Sequence, residues 1–164
     1  MMRWLLLGSL ALAGLLAGGV ALAHDGGRDG FTKPMVLSFL DVSVNEEFLD
    51  VEPKGTEVPS PGDTAFFDNV LRNLADTETK GTFDGKCTFL IGGMADCRGH
   101  VVLPGGKIEL GGGIDFSTGP TSFEAAVLGG TGRYKNVVGE ATITQIAEGR
   151  SRLVLELIPS FRRP

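Results

Sequence analysis

Eight short runs of β-forming residues, separated by glycine- and proline-rich turn signals, constrain this chain more than any other feature. They cover residues 36–49, 63–71, 81–91, 97–103, 107–116, 122–128, 138–148 and 152–158. Between them stand Pro53-Lys54-Gly55, Pro59-Ser60-Pro61-Gly62, Pro104-Gly105-Gly106 and Ser117-Thr118-Gly119-Pro120. Short strands at this rhythm predict an all-β barrel or sandwich. Period-two alternation supports the strands. Phe83, Cys87, Phe89 and Ile91 are in phase on one face, with Thr82, Asp84, Lys86 and Thr88 on the other. Leu153, Leu155 and Leu157 oppose Val154, Glu156 and Ile158, so the last strand is apolar on both faces and is expected to pack inside and out. A helix over residues 68–76 is disfavoured by Asn69, Asn73 and Asp76, and the segment reads as a strand end plus loop. An open sheet of eight strands would leave two edges to protect, and closure removes them. The expectation is one eight-stranded antiparallel β-barrel over residues 35–159. Gly111, Gly112 and Gly113 would supply a bend or bulge.

The first 23 residues read as a secretory signal peptide: Arg3, an apolar stretch from Trp4 to Leu22, and the small-residue site Ala21-Leu22-Ala23. An uncleaved anchor is the alternative, since the stretch is long enough to span a bilayer. Residues 24–34 then form a flexible glycine- and aspartate-rich segment, and residues 160–164 a tail. The formal charge is −5, and the only basic run is Arg162-Arg163. Such a surface argues against nucleic acid, and against the membrane once the signal is removed. The expected location is secreted or extracytoplasmic.

Export bears on Cys87 and Cys97, the only cysteines. They flank a hairpin-like Ile91-Gly92-Gly93-Met94, which favours a disulfide over two free thiols. Two cysteines and the distant His24 and His100 lack metal-ligand spacing. An N-terminal His24 paired with His100 could bind copper, but His100 reads better as a surface strand residue, and no metal site is expected. Gly129-Gly130-Thr131-Gly132 lacks the Lys-Ser/Thr of a phosphate loop and reads as a tight turn capped by Arg133, Tyr134 and Lys135. Asp63, Asp68, Glu109, Asp115 and Glu140 are read as solvated carboxylates.

The stretch from Ala125 to Ala141, with its Gly129-Gly130-Thr131-Gly132-Arg133-Tyr134 turn, resembles the corresponding segment of dirigent proteins and allene oxide cyclases. So do Gly62-Asp63, the run from Phe66 to Leu71 and the run from Gly81 to Leu90. These families are small calycin-type barrels that steer small apolar molecules, and the resemblance implies the same fold without a cofactor. It implies that Asn69, Phe67 and Cys87 match cavity residues of the cyclases, and that Asn45 matches a second cavity asparagine. The glutamate two residues before that asparagine is Ser43 here. The leading expectation is a barrel that binds or steers a small apolar ligand. Phe67, Phe89, Ile108 and Phe123 would form the wall, and Asn69 either the polar anchor or a strand-end cap. A filled structural or interaction domain of the cell envelope is the competing class. A cofactor-free isomerase or cyclase is the third.

Overall fold

The computed structural model describes residues 33–51, 59–117, 119 and 121–160. The expected signal peptide, nearly all of the segment 24–34 including His24, and Arg162-Arg163 lie outside the described residues. The chain forms β1 (Met35–Leu49), β2 (Thr64–Arg72), β3 (Thr79–Phe89), β4 (Met94–Leu103), β5 (Gly106–Asp115), β6 (Ser122–Gly130), β7 (Val137–Ala147) and β8 (Arg150–Pro159). Two single 3₁₀ turns, Ile91–Gly93 and Gly132–Tyr134, interrupt the meander. All neighbours pair antiparallel, and β1 pairs with both β2 and β8, so the sheet closes into a barrel. The expected fold class holds. Residues 68–76 are indeed a strand end and a loop, in which the Asn73 side-chain oxygen accepts the Thr77 N–H at 2.8 Å.

Alternation divides the barrel into two unequal halves. One end is packed solid by Leu71, Val101, Ile108, Leu153, Leu155 and Leu157, all buried in a single cluster. Tyr134 plugs that end from the second 3₁₀ turn. Its ring is buried, and burial raises the phenol above its ordinary range against a smaller opposing effect of Arg133. The glycine turn before it is a docking device. Gly132 has φ +59, and a Cβ there would lie 2.0 Å from the Gly105 carbonyl oxygen. The reading of Tyr134 as part of a polar cap is therefore corrected: only Arg133 and Lys135 of that trio are exposed.

Two further expectations change. Ile91 is 83% exposed, because β3 ends at Phe89 and the chain then turns through Gly92 and Gly93. The outer face of β8 is not covered, and Ile158 is 53% exposed. The bulge expected at the glycine run of β5 sits across from it. Glu109 pairs with Gly129 and Leu110 with Val127, leaving Leu128 of β6 as the extra residue.

Cys87 and Cys97 are directly opposed on β3 and β4 and form a disulfide, with Cα atoms 4.0 Å apart. Closing a loop of this length restricts the unfolded chain by about 2–3 kcal/mol. Replacing both cysteines by alanine should lower unfolding stability by about that amount in denaturant titration. Unchanged stability would show that the link constrains nothing that packing does not already fix.

Candidate functional site

The other half of the barrel is hollow. A cavity of about 560 Å³ opens there, walled by Phe67, Phe83, Phe89, Phe116 and Phe123 together with Leu110, Ile114 and Ile143. Small residues on the inner face create the room. Gly85 of β3 faces Gly99 of β4, and a Cβ at either would lie 2.7 Å from the Phe67 ring or 2.6 Å from the Phe83 ring. Those two rings meet edge to face at 5.0 Å. Phe48, Phe89, Phe116 and Phe123 form a continuous arc with centroid spacings of 6.1, 5.6 and 5.7 Å. The disulfide sulfurs belong to the same wall, since Cys87 and Cys97 both line the cavity.

Of the residues expected from sequence, Phe67, Asn69, Phe89 and Phe123 line this cavity. Ile108 does not: it is fully buried at the packed end. Asn45 does not either. Between Ser43 and Asn45 the register against β2 shifts by one residue, so Val44 is unpaired and the alternation of β1 inverts. Asn45 then stands opposite exposed Asp68 and is itself exposed, while Glu46 and Phe48 take the cavity positions opposite Phe67 and Ala65.

The polar centre of the cavity is Asp41, which the sequence reading missed. A signal for it exists: Met35, Leu37 and Phe39 are in phase with it, so a carboxylate continues an apolar inner face. Asp41 is buried, and Asn69 Nδ2 donates to its Oδ2 at 3.0 Å. Among the described residues, neither Asp41 Oδ1 nor Asn69 Oδ1 has a partner, although both are buried. Burial pushes the Asp41 carboxyl up to about 6, against the smaller lowering effect of the Asn69 bond. The group therefore exchanges protons close to neutrality, the range in which a carboxyl can serve as acid or base. Behind it lies a polar annex of about 130 Å³ that shares Asp41, Glu46, Asn69 and Ser151 with the cavity.

The other carboxylates named from sequence lie away from this centre. Asp68, Glu109, Asp115 and Glu140 are exposed. Asp63 departs from the solvated reading. It is buried and clamps the loop between β1 and β2, accepting the Val51 N–H at 2.8 Å and the Ser60 N–H at 2.6 Å. His100 is a surface residue 3.6 Å from Asp84. Among the described residues, no group of three or more His, Cys, Asp or Glu side chains could hold a metal ion, and no helix is long and apolar enough to cross a membrane.

Solved structures share the closed eight-stranded fold that carries this cavity. A pyocyanin demethylase superposes with a TM-score of 0.63 at 23% identity, over 76% of this chain and 100% of that one. A Diels-Alderase from Streptomyces koyangensis gives 0.62 at 21%, over 79% and 68%. A pterocarpan synthase dirigent protein gives 0.60 at 16%, over 78% and 91%. At these identities the likeness is one of fold. No family model matches the sequence, and no curated protein matches it at a significant level.

The titration of Asp41 has a consequence for stability. Its folded value of about 6 lies above the ordinary 3.8, so the folded state holds the proton more tightly than the unfolded chain. The stability this supplies is full below about pH 4 and is lost as pH rises through about 6, a change of about 3 kcal/mol. Asp41→Asn keeps the shape and removes the charge. It should be more stable than the parent by about 1–3 kcal/mol at pH 7.5 and nearly equal to it below pH 4, measured by denaturant unfolding. A difference independent of pH would show that Asp41 titrates normally.

Proposed function

We propose that this chain is an exported, cofactor-free barrel that binds one small apolar molecule and holds it in a chosen conformation. The observation that supports the reading is the hollow aromatic half of the barrel with a single buried polar pair, Asp41 and Asn69, on its wall. Apolar walls with a few convergent polar groups are the pattern of small-molecule sites, and the volume lies within their usual range. Walls that admit one folded shape of a flexible molecule lower the entropic part of a ring-closing barrier without supplying reacting atoms. The names of the structural neighbours are in keeping with this: one is a pterocarpan synthase dirigent protein and another a Diels-Alderase. The signal sequence and the disulfide support export.

A cofactor-free isomerase or cyclase is the second reading, and Asp41 is what favours it. A carboxyl that titrates near neutrality inside an apolar cavity can move a proton in the reaction as well as position the substrate.

Phenylnaphthylamine, a neutral dye that fluoresces in apolar surroundings, should bind with micromolar affinity. Ala125 faces the cavity from β6, so Ala125→Phe should fill part of it and weaken the dye by about tenfold or more, with the β-sheet circular dichroism retained. Dye binding that is absent, or indifferent to this substitution, would refute a ligand-binding interior.

A further inference from the structure

The polar side of the cavity is built of acceptors. Asp41 is 4% exposed, and its Oδ1 and the Oδ1 of Asn69 are both buried acceptors without a donor among the described residues. Glu46, exposed but on an inward position, adds a second carboxylate, and its side chain is steadied by the Ser43 hydroxyl at 3.0 Å. Among the described residues, the nearby cations point away from this side. Arg150 reaches the annex, but its guanidinium is bound to Asp76 at 2.5 Å, and Asp76 is also held by Arg72 at 2.7 Å. Arg98 is counted in the cavity lining, but it alternates with inward Cys97 and Gly99, so its side chain lies on the outer face of β4, exposed and with its stem against Gly111.

Resting on the binding-barrel reading, we infer that the cavity selects an apolar molecule with a cationic, hydrogen-bond-donating head such as an ammonium group. The head lies between Asp41 and Asn69, and the body lies among the phenylalanines. An ammonium carries three donors and no acceptor, the complement of the orphaned oxygens of the Asp41 carboxylate and the Asn69 amide. A buried charge pair is stabilising only when its remaining protons are also satisfied. The annex behind Asp41 provides for that, since Ser43, Gln145 and Ser151 line it and it has room for water. A carboxylate head would meet the like charges of Asp41 and Glu46 and the unpaired acceptor of Asn69. The same arrangement therefore turns away apolar acids of the same size.

Displacement of phenylnaphthylamine at pH 7.5 by naphthylethylamine, naphthylethanol and naphthylacetate tests this, because the three share one apolar body. The amine should displace the dye at least about tenfold more strongly than the alcohol, and the acid should be the weakest. In Asp41→Asn the amine should lose its advantage over the alcohol. An acid that equals the amine, or an amine preference that survives Asp41→Asn, would overturn the inference while leaving the binding barrel standing. A dye that does not bind at all would remove both.

Discussion

Pairing of β1 with both β2 and β8 is the interaction on which the remaining architecture depends. Residues 40–42 carry partners on both sides, Arg72 to Val70 on β2 and Arg152 to Arg150 on β8. Without that double pairing the sheet would present two long edges, and its inner face would have nothing to pack against. With it, eight inner faces converge, and the size of the inward side chains alone decides whether a given level is solid or empty. Leucine and valine fill one end, while Gly85, Gly99 and Ala125 leave the other open.

Asp41 stands where the two halves meet. It follows Phe39 of the packed cluster along β1 and faces Ser151 on β8, one inner position beyond Leu153. A carboxylate at that level is costly, and Asn69 offsets only part of the cost with one hydrogen bond. The nearby bulge at Val44 and a second register shift between Gln145 and Ala147 of β7 relax the ladders around the annex. A local concession in backbone regularity thus brings polar groups to the edge of an apolar interior.

Strand number, turn positions and the disulfide were legible because each rests on short-range chemistry: alternation, glycine and proline punctuation, and two cysteines flanking one hairpin. Phe67, Asn69, Phe89 and Phe123 were legible for the same reason, since strand phase assigns them to the inner face. Ile108 was also assigned inward correctly, but height along the barrel axis decides between core and cavity, and sequence phase carries no height. Asn45 failed because one unpaired residue inverts every later side chain of its strand. Tyr134 was missed because a turn residue became core through a long-range docking onto β5 and β6. Asp41 was missed because a single carboxylate belongs to no motif, and only the phase it shares with Met35, Leu37 and Phe39 places it inward.

The lining of the cavity comes from all eight strands, from Asp41 and Glu46 on β1 through Phe123 on β6 to Ser151 on β8. No hairpin or fragment contains the site, so the unfolded chain has no affinity to offer. Occupancy is then thermodynamically linked to the whole molecule: a ligand at about one hundred times its dissociation constant adds about 2.7 kcal/mol to global stability. In a protein of this size that increment is a shift of several degrees in the melting transition. The barrel reports its own occupant through its melting temperature, so a compound collection can be ranked without knowing what reaction, if any, the molecule guides.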